Sequence, residues 1–399
     1  MRSLKIVHFL DYDWEEDQRR PHIEALSKYC NILCVEPPLT IDILLRKPKY
    51  FCVNLPKIIH QRQINNGLFV YKPMMLFSAA SSLLVPCINR LNLVVIKLFL
   101  SSVINKLNMC GGILTIRHPA WSFVIGRMNQ SFLCYEVSDE WSEEPSAHHK
   151  IRRKIDAIEK RVLERADIVF CSSKRLTNTK KAINPNTFFV PNAADINFFK
   201  SSLDHNLLIP RELEKIPKPR IGLIGYINPH VDVELISFLA ESNSGWSIIL
   251  IGKVDGSRKF LNSPAYLKTR KLNNVYYLGW KNYESLPAYQ KGFDICMLPY
   301  VVSEYTKNVY PNKVYQYLAG GKPVVSTYLP ELESIENVIF IAKTYNEFIV
   351  HIENALSQDQ TIFIQKRLAI AHENSIEKNA QLRFSYLQKG VSSKIDSSL

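Results

Sequence analysis

The residues best suited to chemistry lie close together in one stretch, Tyr310–Thr327, which reads YPNKVYQYLAGGKPVVST. Pro311 fits the first position of a helix, because its missing N–H would have no partner there. Gly320 and Gly321 then predict the end of that helix, and a short apolar strand follows. Helix N-termini present unpaired backbone N–H groups that bind anions, and Lys313 would stand beside them. The stretch therefore predicts a site for a phosphate or another anion.

Polar side chains also follow three predicted strands in the first half of the chain. Asp13 follows the strand Lys5–Leu10, His118 follows a second strand, and Asp139 follows the strand Phe132–Val137. Ligands of parallel sheets bind beyond the carboxyl ends of the strands, so these three residues are candidates for a functional edge. Plainer interpretations stay open: a solvated turn for Asp13, a structural histidine for His118 and an N-cap or turn aspartate for Asp139.

Length and composition indicate a globular protein with anionic partners. A chain of 399 residues exceeds the size at which one core keeps growing, which favours two domains. Hydrophobic residues make up 46% and charged residues 22%, as in ordinary folded proteins. The formal charge of +13 leaves nucleic acid, an acidic membrane surface and phosphorylated substrates open as partners.

The cysteines and the N-terminus indicate a reducing compartment. The eight cysteines are scattered, with no CxxC pair and no Cys/His cluster at zinc spacing, so we expect reduced thiols and no metal. The chain runs from Met1 into a strand and then into acidic residues, without the apolar core of a signal peptide. We therefore expect a cytoplasmic location.

The predicted elements alternate between strand and helix, which favours an α/β architecture with parallel sheets. A polar, proline-containing stretch interrupts this alternation before a second run of strands begins at Arg220. We therefore predict two Rossmann-like domains facing across a cleft. The predicted boundaries are residues 1–205 for the first domain, 206–219 for the linker, 220–361 for the second domain, and 362–399 for C-terminal helices that cross back to the first domain.

The segment Leu83–Leu107 is apolar with scattered basic residues. Its uninterrupted apolar runs are shorter than the roughly 20 residues that span a bilayer, so we expect that it does not span. Two interpretations stay open. The segment is either a core helix or a helix that lies in an anionic membrane surface, where Arg90, Lys97 and Lys106 would meet the headgroups.

Several standard signatures are missing from the chain. Neither G-x-G-x-x-G nor G-x-x-x-x-G-K-[ST] occurs, which argues against a classical dinucleotide oxidoreductase and a P-loop NTPase. Neither G-x-S-x-G nor H-E-x-x-H occurs, so a serine hydrolase and a zinc protease have no support. The basic helix Lys150–Arg165 is explained by a solvated face over a core stripe, and nucleic acid is not expected as a partner.

Several motifs together resemble those of a known family. In order and spacing, the motifs of the second half are similar to those of GT-B glycosyltransferases, the glycosyl transferases group 1-like proteins: Tyr276–Trp280, Tyr283–Pro287, Phe293–Tyr300, Pro311–Lys313 and Tyr317–Val325. Motifs of the first half resemble the subgroup that builds cell-surface polysaccharides of the teichuronic acid type: Gln18–Pro21, Ser138–Trp141, Ala166–Val169 and Val190–Ala193.

The resemblance implies that the second domain binds a nucleotide-sugar donor. Gly225 would let the backbone approach the donor, although a plain turn glycine is the alternative. Lys253 would neutralise a phosphate unless it is merely solvated, and Trp280 would stack on the base unless it is a core residue. Asn312 and Lys313 would meet the donor phosphates at the helix N-terminus.

One residue departs from the family pattern. Gln316 stands where such transferases usually carry a glutamate that binds the ribose hydroxyls, so a charge-assisted hydrogen bond is lost. The residue eight positions earlier is Asn308, so the common pair of carboxylates is absent. This departure leaves open both the identity of the donor and the activity itself.

For catalysis, the resemblance implies that the first domain offers the acceptor site. If the product is inverted, a base must take the proton of the acceptor hydroxyl, and Asp139 is the first candidate, with Asp13 behind it. His118 resembles the histidine that contacts the donor sugar in many GT-B enzymes. Lysines at the helix N-terminus can stabilise the leaving diphosphate, so neither a metal nor another cofactor is expected.

We therefore expect a transferase that moves a sugar from a nucleotide-sugar to a lipid-linked glycan of a cell-surface polysaccharide, working in the cytoplasm at the inner face of the membrane. Two alternatives stay open. The first is a GT-B sugar-nucleotide epimerase or an inactive donor-binding protein, and the second is a polyanion-binding module that uses the basic helix Lys150–Arg165.

Overall fold

The computed structural model describes residues 4–17, 19–78, 86–140, 149–357 and 360–396. Gln18 and Trp141, at the edges of two predicted motifs, lie outside these ranges, as does the start of the segment Leu83–Leu107. The chain divides into two compact units. The first contains Met1–Pro191 together with Glu377–Leu399, and the second contains Asn192–Ile376.

The first unit is built on an eight-stranded sheet in the order β10-β9-β8-β7-β1-β2-β5-β4, beside a separate pair of strands, β3 and β6. All neighbours in the large sheet are parallel except β4 and β5. The strands are β1 (Lys5–Phe9), β2 (Asn31–Val35), β3 (Leu39–Thr40), β4 (Arg62–Asn65), β5 (Leu68–Tyr71), β6 (Met74–Met75), β7 (Ile113–Ile116), β8 (Phe132–Val137), β9 (Ile168–Cys171) and β10 (Thr187–Phe189). The central strands are short runs of buried apolar residues, as expected where both faces of a parallel sheet are covered.

Helices connect these strands and cover the sheet. They are α1 (Arg20–Leu26), α2 (Ile41–Arg46), α3 (Pro48–Asn54), α4 (Pro56–Ile59), α5 (Pro86–Lys106), α6 (His149–Arg165) and α7 (Lys174–Lys181), with a 3-10 turn at Pro119–Val124. The predicted core stripe of the basic helix α6 is present, because Ile155, Val162 and Leu163 are buried. The exposed basic side chains of α6 therefore lie over a core face.

One face of helix α5 packs into the core of the first unit. Ile96 and Leu100 are fully buried in the main cluster of the first unit, and Ile104 is almost so. Within the described residues, the window Cys87–Lys106 is long and apolar enough to cross a membrane by length and composition, which the short apolar runs had not suggested, and 33% of it is buried inside the protein. Core helices of water-soluble folds meet the same criterion. The core-helix interpretation accounts for the inner face only.

The second unit has a six-stranded, fully parallel sheet in the order β13-β12-β11-β14-β15-β16. Its strands are β11 (Arg220–Ile224), β12 (Ser247–Ile251), β13 (Val275–Gly279), β14 (Ile295–Leu298), β15 (Val324–Thr327) and β16 (Phe340–Ala342). Its helices are α8 (Ile196–Lys200), α9 (Arg211–Glu214), α10 (Val233–Ser242), α11 (Arg258–Leu261), α12 (Pro264–Thr269), α13 (Leu286–Lys291), α14 (Asn312–Ala319), α15 (Tyr345–Ser357) and α16 (Gln360–Glu373), with 3-10 turns at Ser201–Leu203, Tyr283–Ser285, Thr306–Asn308 and Pro330–Ile335. The two predicted Rossmann-like sheets are therefore confirmed.

The stretch 206–219, predicted as a linker, belongs to the second unit, and the boundary lies at Pro191. Leu213 is fully buried, and the Lys291 ammonium donates hydrogen bonds to the backbone carbonyls of Asp204, His205 and Leu207. These long-range contacts fix a polar stretch that has no periodicity of its own.

The last helix, α17 (Ile376–Asp396), falls almost entirely within the first unit, whereas α16 stays with the second. The predicted group 362–399 is therefore divided between the units. Phe384 stacks on Tyr29 with ring centroids 5.4 Å apart, and Tyr386 stacks on Phe188 at 4.4 Å. The end of the chain thus completes the core of the first unit.

Candidate functional site

The strand order of the second unit reverses between β11 and β14, which is where parallel α/β sheets bind ligands. Gly225 follows β11 at this point with φ +154°. A Cβ added to Gly225 would lie 2.1 Å from Lys313 Cε, so only glycine allows the lysine side chain to lie against this turn. The structure therefore brings together two residues that the sequence predicted as donor-binding.

Helix α14 carries the predicted anion site at its start. It begins at Asn312, one residue later than expected, with Pro311 in the N-cap position and no side-chain hydrogen bond to the cap. The Val314 N–H donates to the Pro311 carbonyl at 3.2 Å, so the N–H groups of Asn312 and Lys313 are the ones that a ligand could engage. Asn312 Oδ1 is buried and has no hydrogen-bond partner in the described part of the chain. With Lys313 as the next residue, this helix start presents a cation and backbone donors together.

A buried tyrosine holds α14 against the sheet, and the sequence did not reveal it as a support. The Ile224 N–H donates to Tyr317 Oη at 2.9 Å, so the hydroxyl ties the helix to the end of β11. Burial raises the pKa of Tyr317 well above its usual value, so the hydroxyl stays protonated. The preceding Tyr310 carbonyl accepts a hydrogen bond of 2.9 Å from Asn192 Nδ2. The start of α14 is therefore rigidly placed.

Two further predicted residues follow the neighbouring strands β12 and β13. Lys253 is exposed, and the indole of Trp280 is 59% exposed, which excludes the core-tryptophan alternative. The Gly252 N–H donates to the Gly279 carbonyl at 2.9 Å and so joins the two strand-end turns. Parallel strands end at one edge, so Lys253 and Trp280 lie on the same edge of the sheet as Gly225.

The structure also describes Gln316 and Asn308, the two positions where the resembled family commonly has carboxylates. Gln316 is half-buried on α14, and its backbone carbonyl accepts a hydrogen bond of 2.9 Å from Gln290 Nε2. Asn308 is buried, and its Nδ2 donates to the Glu304 carbonyl at 2.8 Å. The Asn308 amide therefore holds its own loop together.

The first unit has a corresponding reversal of strand order between β1 and β7. Asp13 lies in the loop after β1, where one carboxylate oxygen accepts a 2.5 Å hydrogen bond from Lys72 Nζ and the other a 2.7 Å hydrogen bond from Tyr50 Oη. The Lys72 side chain is 1% exposed, so this ion pair is held inside the protein. Both oxygens of Asp13 thus take part in anchoring the loop.

His118 follows β7 and caps the 3-10 turn Pro119–Val124. Its Nδ1 accepts a 3.0 Å hydrogen bond from the Ala120 N–H, so the neutral ring carries its proton on Nε2. Burial lowers the pKa of His118; Asp11 opposes this shift and Arg117 adds to it. The ring is therefore neutral at pH 7, with an N–H that can donate to a hydroxyl.

Asp139 follows β8 and is half-buried. Its loop is held by a 3.0 Å hydrogen bond from Ser172 Oγ to the Ser138 carbonyl. The pKa of Tyr12 is raised mainly by burial and further by the charges of Asp11 and Asp139. Asp139 thus stands just beyond the carboxyl end of β8, as the sequence predicts.

A buried charge network beneath this edge was missed by the sequence analysis. Burial alone would raise the pKa of Glu136, but the charges of Arg383, His8 and Arg117 outweigh it and hold the pKa below its usual value. The Arg383 guanidinium, from α17, donates directly to Glu136. Arg117 also pairs with Asp11 at 3.6 Å. Partners this far apart in sequence carry no local signal.

We expect acid to destabilise the protein partly through His118. Because its folded pKa lies below the unfolded value of 6.5, the unfolded chain binds the proton first, and stability falls as the pH drops below that value. His118→Asn keeps an acceptor for the Ala120 N–H and removes the titration. Denaturant unfolding between about pH 7.5 and pH 5.5 should then show a shallower loss of unfolding free energy. The exposed control His205→Asn should keep the parent slope, and an unchanged slope in His118→Asn would contradict the assignment.

Comparisons with known proteins agree with this arrangement. A family model described as Glycosyl transferases group 1 matches residues 219–358. The putative teichuronic acid biosynthesis glycosyltransferase TuaH of Bacillus subtilis (strain 168) is 28% identical over 218 residues, which is 51% of this chain and 52% of that protein. The chain thus spans about half the length of this curated relative.

Solved structures match the fold over nearly the whole chain. Sucrose-phosphate synthase from Thermosynechococcus elongatus has a TM-score of 0.71 at 11% identity, covering 98% of this chain and 99% of that one. Anabaena HepE, solved in complex with UDP and glucose, has a TM-score of 0.65 at 14% identity, covering 96% and 99%. The chain therefore has the GT-B fold, and its residues 219–358 match the family model of the glycosyl transferases group 1.

Proposed function

We propose that this protein transfers a sugar from a nucleotide-sugar donor to a glycan acceptor. The observation that carries the proposal is the contact of Lys313 with the Gly225 turn at the uncapped start of α14, at the point where the strand order reverses. A diphosphate fits this arrangement, because backbone N–H groups and an ammonium converge where a Cβ would otherwise intrude.

The same residues would carry the chemistry of the donor. Sugar transfer builds negative charge on the departing nucleoside diphosphate, and Lys313 with the α14 N-terminus would stabilise that charge without calling on a metal ion. Trp280, with its exposed indole, offers a stacking face for the base. UDP is the first nucleotide to test, since Anabaena HepE was solved with UDP and with UDP-glucose.

The acceptor would bind at the strand-end loops of the first unit. His118, neutral and protonated on Nε2, would donate to a sugar hydroxyl, and in an inverting reaction Asp139 would take the proton from the acceptor hydroxyl. The similarity to a putative teichuronic acid glycosyltransferase supports a lipid-linked, cell-surface polysaccharide as the acceptor. We place the reaction in the cytoplasm, at the inner face of the cell membrane.

Thermal unfolding with a panel of UDP-, GDP- and ADP-sugars tests the donor site. A ligand at 100 times its Kd adds about 2.7 kcal/mol to the free energy of unfolding, which is easily seen as a rise in Tm. We expect one nucleotide to raise Tm and the others to have little effect. If no nucleotide raises Tm, the proposal is overturned.

Two variants extend this panel. If Gln316 faces the ribose, Gln316→Glu should tighten binding of the preferred nucleotide by roughly tenfold, since a charge-assisted hydrogen bond replaces a neutral one. Gln381→Glu, at an exposed position of α17, adds the same charge elsewhere and should leave the Kd unchanged. Equal affinity in both variants would place Gln316 away from the ribose.

A second candidate function is donor binding without transfer, by an epimerase or an inactive relative. The amide of Asn308 is engaged with the Glu304 carbonyl, at a position where the resembled family commonly has a carboxylate. A Tm increase with a nucleotide-sugar, combined with no glycosyl transfer to lipid-linked or free glycan acceptors, would favour this candidate.

A further inference from the structure

Among the described residues of the first unit, a group of large apolar side chains is exposed. Leu45 is 80%, Val53 73% and Leu98 72% exposed. We define the docking surface as the exposed residues of segment 41–55 together with the outer face of α5. Its large apolar members are Ile41, Leu44, Leu45, Tyr50, Val53, Leu55, Leu91, Val94 and Leu98. Single exposed apolar residues are normal, but a group of this size marks an interaction site.

Both parts of the docking surface pack on the same small cluster of buried residues. Phe51 of α3 and Ile58 of α4 are buried in a small cluster with Leu39, and Phe99 of α5 packs against the same cluster. The inner faces of these helices therefore meet. Exposed apolar side chains lie on both sides of this shared cluster, Val53 on α3 and Leu98 on α5.

Helix α5 is held in place by buried contacts on one of its sides. The Asn92 side chain is fully buried, accepts a 3.1 Å hydrogen bond from the Phe77 N–H and donates one of 3.0 Å to the Phe77 carbonyl. Ile96 and Leu100 join the core on the same side. Leu91, Val94 and Leu98 project from the opposite side with helical spacing. The helix therefore offers one apolar stripe to its surroundings while it stays attached to the sheet.

The positive charge of the docking surface favours a negatively charged partner. Segments 41–59 and 86–106 contain seven basic residues and a single acidic one, Asp42. Arg46, Lys47, Lys49, Arg90 and Lys97 are exposed beside the apolar side chains. Pairing with a second copy would place like charges opposite one another, which opposes association. A negatively charged surface with an apolar interior satisfies both features.

We propose that the docking surface binds an anionic lipid bilayer, with Leu45, Val53 and Leu98 entering the headgroup region and the basic residues meeting lipid phosphates. Amphipathic helices with basic flanks bind membranes in this way. The inference deepens the proposed function and rests on it for the membrane location: it names the surface that makes the contact, and vesicle binding itself does not require sugar transfer. It also includes α2 and α3, whose sequences gave no such indication.

Vesicle flotation with the full chain tests the proposal. Vesicles of phosphatidylcholine alone are compared with vesicles that also contain phosphatidylglycerol. We expect binding to the anionic vesicles that weakens as salt is added. Leu45→Glu/Val53→Glu and Lys47→Glu/Lys49→Glu should each reduce the partition coefficient by at least about tenfold.

Matched controls lie in the second unit. Leu208→Glu alters a side chain that is 81% exposed, and Arg258→Glu/Lys259→Glu reverses two exposed charges, so both should bind like the parent chain. An unchanged Tm and an unchanged nucleotide-dependent rise in Tm would show that the docking variants are folded, which separates this test from that of the donor site. Equal vesicle binding by all variants, or no binding to anionic vesicles, overturns the proposal. So does a dimer in sedimentation velocity that the docking variants abolish, because it would make this surface a contact between copies.

Discussion

Gly225→Ala is expected to weaken nucleotide binding by about 10- to 100-fold, the loss of one or two hydrogen bonds to a charged group. The new Cβ would lie 2.1 Å from Lys313 Cε and 2.9 Å from Nζ, so the ammonium must leave its position. The φ of +154° also disfavours alanine, which should lower the free energy of unfolding by more than about 1 kcal/mol. Titration calorimetry with the preferred nucleotide, together with thermal unfolding, measures both effects.

Two companion variants keep this prediction testable. Lys313→Ala removes the cation and leaves the backbone intact, so it should lose a similar amount of affinity at nearly the parent Tm. Gly256→Ala adds a methyl group where no atom lies within 4 Å, and it should change neither quantity. Parent-like affinity in both Gly225→Ala and Lys313→Ala would remove the phosphate site from this turn.

Lys180→Met is expected to lower the free energy of unfolding by about 3–5 kcal/mol, the range for breaking a buried ion pair from one side. Lys180 is buried, and its ammonium lies 2.9 Å from Glu159 Oε2 and 2.9 Å from Glu140 Oε1. Without it, the buried Glu159 carboxylate keeps, among the described residues, the 2.9 Å hydrogen bond from Tyr135 Oη. Chemical denaturation monitored by circular dichroism measures the loss.

The exposed pair of Lys160 and Glu164 provides the matched comparison. These side chains are 65% and 50% exposed, so Lys160→Met should change stability by no more than about 0.5 kcal/mol. Lys180→Met combined with Glu159→Gln should recover part of the loss, because the buried charge is gone. If Lys180→Met and Lys160→Met cost the same, the network does not stabilise the fold.

Runs of apolar residues allowed the strands of the second unit to be predicted from the sequence. Strand β11 is predicted and observed at Arg220–Ile224, because a run buried on both faces of a parallel sheet differs sharply from the turns around it. The boundary between the two units at Pro191 was not predicted from the sequence. The polar, aperiodic stretch that suggested a linker lies further on, at 206–219, and the hydrogen bonds of Lys291 to the Asp204 and Leu207 carbonyls come from more than 80 positions away.

The candidate site likewise contains residues that local sequence features predict and a residue whose partners they do not predict. Lys313 and Gly225 could be found because a helix start and a turn glycine are local features, even though the contact between them is not. Asp13 was predicted as a candidate base, whereas the structure pairs it with Lys72, 59 positions away. Nothing in the sequence around Asp13 distinguishes a loop anchor from a reactive carboxylate, since the difference lies entirely in distant partners.

The return of α17 to the first unit sets the order of events during synthesis. Residues 192–376 must leave the ribosome before Arg383, Phe384 and Tyr386 can reach their partners. At typical translation speeds this delay lasts roughly 10–40 s. Throughout it, Glu136 stays without the Arg383 guanidinium, and Tyr29 and Phe188 stay without the rings that stack on them. The nascent first unit therefore lacks these contacts until α17 has been synthesised.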